Sequence, residues 1–308
     1  MSTSSLSPSA VVARLRAAGC VFAEDEARLL LETARTPGDL AAMVDRRVAG
    51  LPLEHVLGWA EFCGIRVAVD PGVFVPRRRT EFLVRQAAAL ARPGAVVLDL
   101  CCGSGALGAA LAALLGGAEA DVRAEADVRA EADVRAEADV RAEADVRAEA
   151  DVRAEADGRA EGRGRAEVYA ADIDPAAVAC ARRNLAAVGG RAYEGDLYEP
   201  LPATLRGRVD VLLANVPYVP TGEVALLPAE ARDHEARVAL DGGADGLDVA
   251  RRVAAEAPEW LAPGGHLLFE ASDRQVPAAR EAIARAGLSF RVATCEDTDA
   301  TVIVGTLV

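Results

Sequence analysis

Two short segments of this chain carry the residue types best suited to chemistry. Asn215-Val216-Pro217-Tyr218 follows the apolar run Val209 to Ala214, and Cys101-Cys102-Gly103-Ser104-Gly105 follows the apolar run Val97 to Leu100. Both segments read as the ends of buried parallel strands, where open α/β sheets collect their ligands. The side-chain carbonyl of Asn215 and the backbone carbonyl of Val216 are two acceptors on adjacent residues, and Tyr218 adds a flat face to cover a planar group. An amide or exocyclic nitrogen is a poor nucleophile because its lone pair is delocalised. Acceptors that take its N–H protons leave that lone pair turned toward an electrophile, so catalysis comes from orientation and electrostatics. Pro217 biases Val216 toward an extended backbone.

Gly103 to Gly108 fits G-x-G-x-x-G, a pattern that alone is weak because a glycine turn between strand and helix can also serve packing only. Asp99 discriminates between ligands. A dinucleotide sets its pyrophosphate against backbone N–H groups at a helix start, where a nearby carboxylate repels it. S-adenosylmethionine has no phosphate; it offers an amino group and a sulfonium that an acid can accommodate. Asp172 ends the next strand and can accept from ribose hydroxyls; without the 42-residue repeat described below it lies 25 residues after Gly105, near the expected spacing. Asp174 precedes Pro175 and suits a helix N-cap. A third strand ends in Gly195-Asp196-Leu197, where Asp196 can accept from an adenine amino group and Leu197 can cover the ring, although an acid there is also an ordinary turn residue. Asp99, Cys101, Gly103, Ser104, Gly105, Asp172, Asp196, Leu197 and Asn215 are thus the candidate cofactor site. Asn215, Val216, Pro217 and Tyr218 are the candidate catalytic segment. Three scattered histidines and six cysteines without C-x-x-C spacing suggest neither a metal site nor a disulfide framework.

These segments need a scaffold. Residues 1–60 carry three helical patterns, Ala10 to Ala18, Glu24 to Ala34 and Gly38 to Val48, which read as a small N-terminal helical domain. Residues 61–75 read as a β-hairpin connector turning at Asp70-Pro71-Gly72. From residue 76 to 308, strand-like runs alternate with helices, and two closing strands are joined by only a few residues. The predicted fold is α/β: a seven-stranded, Rossmann-like class I S-adenosylmethionine-dependent methyltransferase sheet behind the helical domain.

Every one of the 34 basic residues is arginine, against 48 acidic ones, for a net charge of −14. The lack of lysine excludes Schiff-base chemistry and a phosphate-loop lysine, and the acidic balance argues against direct nucleic-acid binding. No run approaches the ~18 apolar residues of a membrane span, and the opening lacks the layout of a secretory signal, so a cytoplasmic, monomeric protein is expected.

The residues now resemble a known family, the bacterial protein (glutamine-N5) methyltransferases of the HemK/PrmC type, which methylate the glutamine of the GGQ loop in peptide-chain release factors. The likeness covers PLEHVLGWAEF (52–62), VPRRRTEFLV (75–84), VLDLCCGSG, AAD, NVPY, ALDGGADGLD (239–248) and LAPGGHLLFE (261–270). It implies that Gly103 and Gly105 contact S-adenosylmethionine, Asp172 its ribose and Leu197 its adenine. Asn215 and Tyr218 would hold the acceptor, and the helical domain would grip the protein substrate. The chain departs from the pattern at Val216, where NPPY has its first proline, at Cys101, where a glycine is usual, and at Arg78, where a proline is usual. The alternative is an adenine-N6 methyltransferase acting on DNA or RNA. It is disfavoured by the missing phosphate grip and by the cost of unstacking a base. Of the Arg77-Arg78-Arg79 run, a solvated surface role and a role at the active-site mouth both stay open.

From Ala118 the chain reads AEADVR six times and AEADGR once, ending at Arg159, within an insert spanning 118–165. Each copy holds one arginine against two acids, so the repeat carries half the net charge. A period of six turns successive valines by −120° around a helix and builds no apolar stripe, so a solvated segment is expected. Loop closure grows by only ~0.6 kcal/mol per doubling of length. Deleting Ala118 to Arg159 should therefore leave cofactor affinity and methyl transfer within a few-fold and change the melting temperature little, measured by calorimetry, labelled-methyl transfer and thermal scans.

Overall fold

The computed structural model describes residues 6–116 and 164–308; the AEADVR repeat, and the reading of it as a solvated segment, lie outside them. Four helices come first: α1 (Pro8–Ala17), α2 (Ala23–Thr33), α3 (Pro37–Val48) and α4 (Leu53–Leu57). The first starts two residues before the sequence pattern suggests. Ser7 caps it by accepting from the Ala10 N–H, and Pro8 fills a first-turn position where its missing N–H is not needed. The helices enclose a core of their own around Val11, Leu15, Leu30 and Val44. Arg47 on α3 is buried with Glu26 on α2 in a two-pronged pair at 2.6 and 3.0 Å.

The hairpin is present, but its turn is not at Asp70-Pro71-Gly72. Strands β1 (Trp59–Phe62) and β2 (Ile65–Ala68) pair antiparallel around Cys63-Gly64, both at positive φ (48° and 74°). Two central residues at positive φ match the strand twist of a tight hairpin. Pro71 has no N–H to give a ladder, and residues 70–73 form only a loop turn, with the Val73 N–H donating to the Asp70 carbonyl.

The main sheet holds β3 (Val96–Leu100), β4 (Glu167–Asp172), β5 (Arg191–Glu194), β6 (Val209–Ala214), β7 (Leu261–Glu270), β8 (Ser289–Cys295) and β9 (Ala300–Thr306), in the order β5-β4-β3-β6-β7-β9-β8. The first five are parallel, and β9 runs antiparallel between β7 and β8. This is the predicted seven-stranded class. β3 and β6 are buried along their whole length, as helices on both faces require. Helices α5 (Glu81–Leu90), α6 (Ala106–Leu115) and α7 (Pro175–Ala186) cover one face with Val97, Val168 and Leu213. On the other face α8 (Ala229–His234) lies outside the layer, and α9 (Asp248–Trp260) and α10 (Val276–Arg285) pack on Leu98, Leu212 and Phe269. Helices α4, α5 and α8 were not anticipated from the sequence. The order reverses between β3 and β6, so the chain leaving one strand end diverges from the chain leaving its neighbour and opens a crevice.

Asn184 helps to join the hairpin to the sheet, beside Cys180 Sγ, which also donates to the Ala68 carbonyl at 3.1 Å, and Glu81, which accepts from the Cys63 N–H at 3.2 Å. Asn184 on α7 accepts from the Ala68 N–H at 2.8 Å and donates to the carbonyls of Ala68 at 2.9 Å and Ser104 at 2.8 Å. Asn184→Ala removes the side-chain partner of the Ala68 N–H and of the Ser104 carbonyl, while the Ala68 carbonyl keeps Cys180 Sγ. It should cost ~1–3 kcal/mol, read as a lower urea midpoint at unchanged slope.

Candidate active site

The crevice at the carboxyl ends of β3, β4, β5 and β6 holds about 1000 Å³ of empty space, its open mouth included. Cys101, Gly103, Ser104, Asp172, Asp196, Leu197, Asn215 and Pro217 all border it. Sequence-distant segments thus meet in one place. Asp172 fixes the loop: its Oδ2 accepts from the Gly103 N–H at 2.8 Å and its Oδ1 from the Asp174 N–H at 2.9 Å. Asp174 caps α7 by accepting from the Ala176 N–H, and it also borders the crevice. Asp196 faces the cavity while pairing with Arg252 on α9 at 2.7 Å. Cys101 takes a left-handed backbone (φ 53°), the conformation that favours glycine at such a turn.

Two expected cofactor contacts are placed elsewhere. Asp99 does not border the crevice. It is fully buried beneath the loop on the α6 side of β3, where its Oδ2 accepts from the Gly108 N–H at 3.0 Å and its Oδ1 has no partner. Strand alternation explains this, because Asp99 shares a face with Val97. Burial, opposed by the Gly108 N–H, pushes its carboxyl up to about 8. Gly105 also stays out of the crevice: a Cβ there would sit 3.0 Å from the Ala181 Cβ, and its φ is +75°. Its missing side chain lets α7 approach the loop, a packing role.

Val216 and Tyr218 border a second cavity, joined to the first through Asn215, which lines both. Asn215 Oδ1 is buried and accepts no hydrogen bond. An unpartnered buried amide oxygen is costly unless a donor arrives, and it stands at the boundary where the two cavities meet.

The sequence pattern did not reveal what supports this segment. Gly246 (φ +80°) packs so close that a Cβ would strike the Tyr218 carbonyl oxygen, and Gln275 Nε2 donates to that carbonyl at 2.9 Å and to the Asp245 carbonyl at 3.0 Å. Arg79 donates to the Tyr218 hydroxyl. Its neighbour Arg77 pairs with the buried Glu235, which also accepts from the Val75 N–H at 3.3 Å. Two members of the arginine run are therefore bound to groups beside the site. Glu270 ends β7, 4% exposed; burial pushes its carboxyl upward, opposed by Thr80 and Arg79. A hydroxyl–arginine or arginine–carboxylate pair across 139 or 191 residues has no local sequence signal.

The crevice suits the cofactor expected from sequence. Asp172, Asp174 and Asp196 border it against one cation, Arg252, already paired with Asp196. A pyrophosphate would meet uncompensated carboxylates, whereas a phosphate-free ligand with an amino group and a sulfonium meets charge of opposite sign. Phe74, Leu107, Leu197 and Val249 supply apolar wall for an adenine ring. Among the described residues no group of acids, cysteines and histidines could hold a metal ion, and no helix is long and apolar enough to cross a membrane.

The chain is similar to known proteins over most of its length. A family model described as UPF0020: RMKL-like, methyltransferase domain, matches residues 83–222. The release factor glutamine methyltransferase of Geobacter sulfurreducens is 35% identical over 239 residues, 76% of this chain and 66% of that protein. The release factor glutamine methyltransferase of Deinococcus radiodurans is 31% identical over 302 residues, covering 91% of this chain and 90% of that one. A 4-amino-L-phenylalanine/4-methylamino-L-phenylalanine methyltransferase of Streptomyces pristinaespiralis is 31% identical over 264 residues, 82% of this chain and 73% of its own.

Asp99 gives the site a pH signature. Its folded-state value near 8 lies above the ordinary carboxyl value of 3.8, so between the two the folded protein binds the extra proton. Stability from this group is full below about pH 4 and is lost as pH rises toward about 8. Urea midpoints measured across this range should show a downward component with pH that Asp99→Asn abolishes. An unchanged pH profile in the variant would show that Asp99 is ionised in the folded state.

Proposed function

Because the chain belongs to the release factor glutamine methyltransferase family, we propose that it transfers a methyl group from S-adenosylmethionine to the side-chain amide nitrogen of a glutamine in a protein, the GGQ loop of a peptide-chain release factor. The observation that carries this reading is the buried Asn215 Oδ1 without a partner, at the boundary of two cavities. When bound, the cofactor supplies a methyl group made electrophilic by the sulfonium.

The rest is the work of the chain. Gly103 and Ser104 border the cofactor, and Asp172 accepts from its ribose hydroxyls while keeping the loop in shape through the Gly103 N–H. Asp196 and Leu197 receive the adenine. Asp99 acts from beneath, through Gly108 and the start of α6, and does not touch the ligand. Asn215 Oδ1 and the Val216 carbonyl accept the two N–H groups of the acceptor amide, which fixes the plane of that amide and turns the nitrogen lone pair to the cofactor side. No base is needed before transfer; the proton leaves after the nitrogen has gained its methyl group. Tyr218 covers the amide and excludes water. The α1–α4 domain meets the substrate protein, and Arg47 couples it to the site by donating to Glu230 on α8 at 2.6 Å.

Two measurements test this. Asn215→Ala should leave cofactor affinity by calorimetry within a few-fold while turnover falls about 10²–10³-fold, the loss expected for one orienting polar group. With labelled cofactor, the wild-type chain should label a GGQ-containing release factor, and the label should survive nuclease. Label that disappears with nuclease would favour an adenine acceptor, and normal turnover by the alanine variant would remove Asn215 from the mechanism.

A further inference from the structure

We infer that Arg79, held by Glu270, positions Tyr218 for methyl transfer, a role that rests on the reading of Asn215 and Tyr218 as the acceptor site. Tyr218 is the wall between two cavities. On one side it shares a cavity with Asn215; on the other it shares a cavity with Arg79 and Glu270. The arginine and the glutamate therefore reach Tyr218 from behind, away from the acceptor, and act through it.

Two contacts from Arg79 reach Tyr218, and a third ties the arginine to Glu270. The Arg79 guanidinium donates to the Tyr218 hydroxyl, lies 5.1 Å from the ring centroid, and places Nε 3.7 Å from Glu270 Oε2. Each partner comes from a different element: Arg79 from the helical turn at 78–80 before α5, Tyr218 from the loop after β6, and Glu270 from the end of β7. The backbone of Tyr218 is already fixed by Gln275 and Gly246, so the freedom left is that of the side chain. A donor on its hydroxyl restrains the swing of the side chain about χ1, and the guanidinium over the ring restrains the rotation of the ring about its own axis. Only arginine can do all three things at once, since its planar fork can donate to a hydroxyl, stack on a ring and pair with a carboxylate; an ammonium is a point charge.

Glu270 anchors the arginine. Its side chain is 5% exposed against 40% for Arg79, and its Oε1 accepts no hydrogen bond. A carboxylate so placed is costly without a cation, and as a device for stability alone an apolar residue would serve as well. The pair fixes the direction of the guanidinium. Because arginine only donates, the Tyr218 oxygen is the acceptor in this contact, and the phenolic hydrogen points elsewhere.

A double-mutant cycle tests the inference. Turnover, KM and cofactor affinity are measured for wild type, Arg79→Ala, Tyr218→Phe and the double variant. Arg79→Ala should lower turnover about tenfold with cofactor affinity unchanged, and lower it less than about twofold once Tyr218→Phe is present, a coupling of about fivefold or more, ~1 kcal/mol. Guanidinium ion added at millimolar concentration should restore part of the turnover of Arg79→Ala but none of the double variant. If Arg79→Ala alone fails to fold, Arg79→Ala with Glu270→Gln, which leaves no unpaired buried charge, takes its place in the cycle. The same cycle read by urea midpoints needs no substrate. Equal effects of Arg79→Ala with and without the Tyr218 hydroxyl, in turnover or in urea, would overturn the positioning role. A wild-type chain that transfers no methyl group to any protein would instead overturn the functional reading, while the urea cycle still decides the pairing.

Discussion

Leu100 of β3 is paired with Ala214 of β6, and the site depends on that register. The residues that follow are Cys101 and Asn215, so the hydrogen-bond ladder of the sheet sets the glycine loop and the Asn215–Tyr218 segment side by side before any side chain contributes. A slip of one residue would exchange the two buried side-chain sets of a strand between the helix layers. On the other flank Leu100 pairs with Ala171, which brings Asp172 under the same loop, where it accepts from the Gly103 N–H. Because β3 and β6 are buried on both faces, such a slip would mismatch the packing on each. The geometry of the site is thereby tied to the stability of the core.

Much of this was legible in the sequence because the signals are local. Fully buried parallel strands read as continuous apolar runs, and the crevice residues sit directly after them. Gly103, Asp172, Leu197 and Asn215 meet in the crevice for that reason. What escaped is what depends on direction or on distant partners. Asp99 and Leu100 differ by one position, and strand alternation sends Asp99 beneath the sheet face; a motif match does not encode which face is which. The hairpin turn was misplaced because Asp70-Pro71-Gly72 is a strong turn signal, while Cys63-Gly64 works through a left-handed cysteine that composition gives no reason to expect. Asn184, Arg79 and Glu270 act across more than a hundred residues, and no spacing rule reaches that far.

The exclusive use of arginine has a structural counterpart around the site. Arg47 pairs with the buried Glu26 and with Glu230, Arg77 with the buried Glu235, and Arg79 with the buried Glu270. For Arg77 and Arg79 a guanidinium reaches from a more exposed position to a carboxylate that has lost its water, whereas Arg47 is itself buried with Glu26 and reaches out to the exposed Glu230. Weak hydration and a fixed fork of donors make arginine suited to that position. These pairs join the N-terminal helices, the linker at 72–80 and the segment at 221–240, three stretches with little sheet to hold them. The second cavity is lined by the linker and by the 221–240 segment.

The described ends of the insert bear on how this gene can change. Gly164 lies against Gly94, just before β3 begins, and α6 ends at Leu115 on the same amino-terminal edge of the sheet. The crevice is on the opposite edge. Copying slippage within a tandem repeat adds or removes whole hexads, and each hexad is a whole number of codons, so the reading frame of β4 and everything after it survives. Such events alter the net charge of the chain in single steps of one, since every copy carries one more acid than base. The net charge of the chain can therefore change here in unit steps without a substitution in the strands that carry the site.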